Sequence, residues 1–144
     1  LNEMTFLLNQ TKSIFKGINL AGWIIGGFSI LIGGFGIANI MFVSVKERTN
    51  LIGIQKALGA KRYIILTQFL AEATFLALAG GIIGLLMTLA IVLIVGGNAA
   101  FPMELSAYNI FRGLFISSII GITAGFIPAY TAARLNPVDA INSK

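Results

Sequence analysis

INLAGWIIGGFSILIGGFGIANIMFVSV, Ile18 to Val45, decides the architecture of this chain. None of its residues is charged, and at about 1.5 Å of rise per residue a helix over it outreaches the roughly 30 Å hydrocarbon core of a bilayer. The uncharged run opens at Gly17 and closes before Lys46, and two more follow, from Ala73 to Met103 and from Gly113 to Ala133. In lipid only a helix or a closed barrel satisfies every backbone polar group, so the three runs predict three transmembrane helices. Composition agrees. The chain is 57% hydrophobic and 10% charged, with a mean hydropathy of +0.93, whereas a soluble domain carries about 25% charged residues. The prediction is an all-α integral membrane protein with spans at 18–45, 63–95 and 113–133.

Outward from the first span, residues 1–18 place Met4, Leu7, Leu8, Ile14, Phe15 and Ile18 at helical spacing, with Glu3, Asn9, Lys12 and Lys16 elsewhere. This amphipathic helix either rests at the lipid interface or forms a stalk against a partner helix. Within the span, Gly26, Gly27, Gly33 and Gly34 remove the side chains that keep helices apart in lipid. The second helix is expected from about Lys61 to Val95, longer than the bilayer requires, with a small-residue stripe of Ala73, Ala77, Gly80, Gly81 and Gly84. The third carries Ser117, Gly121 and Gly125, then Pro128, which removes a backbone donor and is expected to bend the helix.

Charge sets the topology. Five of the ten lysines and arginines, Lys46, Arg48, Lys56, Lys61 and Arg62, lie between the first two spans against the single acid Glu47. Cationic loops stay cytoplasmic, so 46–62 is expected inside, 96–112 outside with Glu104 and Arg112, and the tail 134–144 inside. Residues 1–17 then lie outside although no signal peptide precedes them. The chain is accordingly expected to be the C-terminal part of a longer protein with at least one earlier span. The net charge of +5 sits at span ends rather than on a polar face with interleaved aromatics, which argues against nucleic acid as a partner. With no cysteine, disulfides, thiolate metal sites and thiol redox chemistry are excluded.

The connector VSVKERTNLIGIQKALGAKRY, Val43 to Tyr63, is more than a charged loop. Thr49 or Asn50 can cap a helix, Leu51, Ile54 and Leu58 fall on one face, Gln55 points away, and Gly59 can end the helix in the left-handed region. Such a helix either lies on anionic lipid or docks in a groove of a cytoplasmic partner.

Catalytic chemistry is hard to find. GIQKALGAKR approaches a phosphate loop, but Gly59 is followed by Ala60, and no hydroxyl follows Lys61 as G-x-x-x-x-G-K-[ST] demands. There is no histidine and no carboxylate cluster for a metal. Glu72 is the one acid within the spans, near the inner end, where pairing with Arg62 or a cation of a neighbouring helix competes with a transport role. Asn39 either bonds across helices or is solvated at the interface. A small channel or carrier would need a polar path, and the spans offer few polar residues for one.

Two blocks make the chain recognisable: VKERTNLIGIQKALGA, Val45 to Ala60, and PAYTAARLNPVDAI, Pro128 to Ile141. In this order and separation they resemble the C-terminal membrane region of the FtsX-like permease family, and more closely its MacB-type ATP-binding-cassette (ABC) transporters. The resemblance implies a four-span permease whose first span and large extracytoplasmic domain would precede Leu1. It implies pairing with a second copy or a related permease subunit, and coupling to a nucleotide-binding domain, fused or separate, that would bind ATP and Mg. Carried onto this sequence, Glu47, Arg48 and Thr49 open the inner connector, and Leu51, Ile54 and Leu58, ended by Gly59, form its coupling helix. Gly26, Gly27, Gly33, Gly34, Gly80, Gly84, Gly121 and Gly125 are candidates for helix packing and the dimer interface. The implied function is to transmit ATP-driven motion across the bacterial inner membrane for export or extracytoplasmic work. The alternative is a membrane regulator that signals nucleotide state to an outer enzyme. Membrane lipid is a further partner, and whether a periplasmic adaptor and an outer-membrane channel join the assembly stays open at this point.

Overall fold

The computed structural model describes residues 2–96 and 106–142. Five helices follow in order: α1 Asn2–Glu47, α2 Thr49–Ala57, α3 Arg62–Gly96, α4 Ala107–Arg134 and α5 Pro137–Asn142. No strand occurs among the described residues. α1, α3 and α4 are each long and apolar enough to cross a membrane, so the chain is all-α with three candidate spans. Residues 97–105, most of the expected outer segment and including Glu104, lie outside the described residues, as do Ser143 and Lys144.

The chain divides into two units, Leu1–Gly33 and Gly34–Lys144. In the first, the amphipathic stretch and the glycine-rich run belong to one helical element without a break. Its large apolar side chains, from Met4 to Ile32, are exposed, as expected where lipid or another helix takes the place of a core.

The second unit holds the core. Met41 and Val45 of α1, Ile52 of α2, Ile65, Phe69 and Ala73 of α3, and Ala129, Ala132 and Ala133 of α4 pack as one cluster. It sits at the end of the unit that carries the charged connector, where four helices converge. Further along α3 and α4, large side chains such as Ile82, Leu86, Phe111 and Phe115 are exposed.

α3 and α4 run antiparallel through a ladder of small residues. A methyl group built on Gly113 would lie 3.6 Å from Leu85. One turn on, Gly81 meets Ser117; one more, Gly121 meets Ala77; one more, Gly125 meets Ala73. Each step of four on one helix is matched on the other, the register of a small-xxx-small packing. At Gly121 the ladder comes closest to backbone, since a Cβ there would stand 2.7 Å from the Thr74 Cα and 3.0 Å from the Ala73 carbonyl oxygen. The hydroxyls along this seam are satisfied locally, Ser117 donating to the Gly113 carbonyl at 2.9 Å and Thr74 to that of Leu70 at 2.8 Å, as an apolar environment demands.

Three boundaries differ from expectation. α4 starts at Ala107 rather than Gly113, because a charged residue such as Arg112 ends an apolar run without ending a helix. The helix at the connector has Arg48 as its N-cap with no side-chain cap; Thr49 instead donates back to the Val45 carbonyl at 2.9 Å. The tail after Arg134 forms a further helix, α5, with Pro137 in the first turn, where its missing N–H costs nothing.

Candidate coupling surface

α2 is a two-faced helix. At 100° per residue Leu51, Ile54 and Leu58 share one side, while Ile52, Gly53 and Lys56 share the other. Leu51 is 59% exposed, Ile54 44% and Leu58 84%, whereas Ile52 and Gly53 are buried. Three large apolar side chains thus face outward from a helix outside the apolar spans.

The inward side rests on α5 and on the end of α4. Gly53 permits the approach, since a Cβ there would lie 2.8 Å from the Ala140 Cβ and 3.2 Å from the Ile141 backbone nitrogen. Ala140 is buried, while Val138 and Ile141 of α5 remain exposed. Lys56 donates from Nζ to the carbonyl oxygens of Ala133 and Leu135, at 2.5 Å each. These are carbonyls that the terminating helix cannot satisfy itself, and a cation there also complements the helix dipole. Burial, and then the charge of Arg62, pull the Lys56 ammonium below the usual lysine value; the two carbonyl acceptors act in the opposite sense by favouring the charged form. Beside them the Arg134 guanidinium lies 5.1 Å over the Tyr130 ring.

Both ends of α2 are closed by backbone geometry. The Arg48 amide donates to the Ser44 carbonyl and the Ile52 amide to that of Arg48, both at 3.0 Å, so the chain passes from α1 to α2 almost without a break. At the far end Gly59 adopts φ +98°. Its amide donates to the Lys56 carbonyl and that of Ala60 to Gln55, the paired bonds of a Schellman motif. Gly59 therefore ends the helix in the left-handed conformation read from the sequence.

Glu47 is the last residue of α1 and is exposed, as is Arg48; Thr49 is half-buried. Arg48 pairs with Glu72 of α3 at 3.3 Å. The cation beside Glu72 is thus Arg48 and not Arg62, because the turn from α1 to α2 brings Arg48 alongside α3. Asn39 is exposed on α1, beside a groove formed with Ile40, Val43, Ser44 and Glu47.

The glycines divide by surroundings. Gly121 and Gly125 sit against α3, and Gly34 lies 3.9 Å, by the same measure, from Ala124 and Ile120 of α4. Gly26, Gly27, Gly33, Gly80 and Gly84 have nothing within 4 Å. On α3 the seam with α4 runs through Ala73, Ala77 and Gly81, and Gly80 and Gly84 lie off that line. Gly53, Lys56 and Ala140 were not singled out as site residues from the sequence. The signal for Gly53 was present, a glycine within a short helix, which costs about 1 kcal/mol relative to alanine unless packing requires it.

Comparison with known proteins gives the family. The family model described as FtsX-like permease C-terminal matches residues 23–137. A macrolide export ATP-binding/permease protein, MacB, of Rhodopirellula baltica is 40% identical over 141 residues, covering 98% of this chain and 21% of that protein. MacB of Neisseria gonorrhoeae is 46% identical over 114 residues, 78% of this chain and 18% of that protein. An uncharacterized ABC transporter permease of Bacillus subtilis, YknZ, is 44% identical over 117 residues, 81% of this chain and 30% of its own length. The chain therefore spans less than a third of each of these relatives.

Proposed function

The chain belongs to the FtsX-like permease family, and on that premise we propose that it is the part of an ABC transporter that carries ATP-driven motion across the membrane, with α2 as the point where the motor engages. The observation that carries this reading is the outward apolar set of Leu51, Ile54 and Leu58 on a helix fixed from behind by α5 and Lys56. A protrusion that transmits force must offer a contact patch and resist being pushed aside. Full burial of one such leucine or isoleucine against a partner is worth about 1.5–3 kcal/mol.

The motor is a nucleotide-binding domain, fused or separate, holding ATP and Mg; the residues here lack the glycine-lysine-hydroxyl sequence a phosphate loop requires. The excess of cations between α1 and α3 supports a topology in which α2 and the C-terminal end face the cytoplasm, in a bacterial inner membrane. α1, Asn2–Glu47, is long and apolar enough to cross the membrane. A second copy or related permease would meet the glycines left open on α1, Gly26, Gly27 and Gly33. Among the two uses of such a machine, export is favoured over signalling to an outer enzyme by the relatives named as macrolide exporters.

The test is made in the full-length transporter with its nucleotide-binding domain. Ile54→Asp and Leu58→Asp each place a charge on the outward face of α2 without touching its inward packing. ATP-driven export falls, and ATPase activity no longer responds to the membrane part. Transport that survives both changes removes α2 from the motor interface.

A further inference from the structure

Lys56 points away from the face that bears Leu51, Ile54 and Leu58, and its two bonds reach an element almost 80 residues further along the chain. The contacts of the connector differ in kind. Toward α3 it offers the Arg48–Glu72 pair, whose side chains are 49% and 30% exposed, and through Ile52 it shares apolar packing in the cluster of α1, α3 and α4. Apolar packing is non-directional and an exposed pair is worth little, so both can slide. Toward α4 it offers two short charge-assisted bonds to fixed backbone carbonyls, which are strong and directional. The seat of α5 on Gly53, just beyond the Leu135–Asn136 link, adds a second attachment at the same end.

We infer that Lys56, together with the Gly53–Ala140 contact, is a latch that fastens α2 to the end of α4, so that α4 receives the displacement of α2. Lys56 is a positioning residue here, acting through the α4 terminus. This rests on the reading of α2 as the motor's point of engagement, and deepens it by naming α4 as a span that is driven in addition to α1, with which α2 is nearly continuous. α4 in turn carries the glycine ladder against α3 and touches α1 at Gly34, so it is placed to pass a displacement to both neighbours.

The experiment uses the full-length transporter with its ATPase in lipid nanodiscs, in a background free of other cysteines. The pair Gly34→Cys and Ala124→Cys reports on α1 against α4, because the Cβ positions lie 3.9 Å apart, close to the mean of a disulfide. Trapping with ATP and vanadate is expected to change the oxidative crosslinking rate by about fivefold or more, the lower end of a coupling free energy between sites. Lys56→Met should abolish that change while the ATPase stays bound; Lys56→Arg, which keeps donors and charge, should retain much of it. The latch is overturned if the parent shows no nucleotide-dependent change, if Lys56→Met retains it, or if Lys56→Met loses it only together with the ATPase. Failure of the engagement reading looks different: Ile54→Asp and Leu58→Asp would then leave ATPase coupling intact.

Discussion

Gly121 shows how much one missing methyl group decides. The atoms a Cβ would meet, the Thr74 Cα and the Ala73 carbonyl oxygen, are backbone and cannot rotate away. Gly121→Val should therefore force α3 and α4 apart and cost about 1–3 kcal/mol, the range for overpacking a tight contact, read as a lower midpoint of thermal unfolding in detergent. Gly53→Ala tests the same principle outside the spans. Its Cβ would collide with Ala140 and the Ile141 backbone, so α5 should lift from α2 and its amides exchange faster with deuterated solvent, while the α3–α4 seam is untouched. Glu72→Gln should do little. Its partner Arg48 is half exposed, and such pairs contribute about 0.2–1 kcal/mol.

Among the elements, α3 and α4 are held by shape, and α2 by shape against α5 and by the charge of Lys56 at the end of α4. The step of four along Ala73, Ala77 and Gly81 matches Gly125, Gly121 and Ser117 because a helix returns to one face after about that interval. Near the connector the seam gives way to larger side chains, with Phe69 fully buried. Phe69→Ala should cost about 3–5 kcal/mol through the cavity left behind, measurable in the same unfolding assay. The amphipathic connector helix and its end at Gly59 were legible in the sequence, since both rest on local spacing and a local backbone preference. α5 was not. Six residues with one buried alanine carry too little periodicity to announce a helix, and what stabilises it is contact with α2.

Across the whole molecule the governing asymmetry is charge, gathered at the connector and sparse elsewhere. It predicts opposite sides of the membrane for Leu58 and Tyr108, both exposed. In intact cells a cysteine at position 108 should react with an impermeant thiol reagent from outside, and one at position 58 only with a permeant one. Labelling of both from one side would overturn the topology. The number of spans, their helical nature, the family and the outward face of α2 are determined by the sequence itself, because hydrophobic run length, charge placement and helical periodicity are local quantities. Which small residues meet, which cation pairs with Glu72, and the fastening of α2 to α4 by Lys56 are decided only in the tertiary structure. Those depend on the rotation and register of helices far apart in the chain, which packing against a neighbour sets and no single helix encodes.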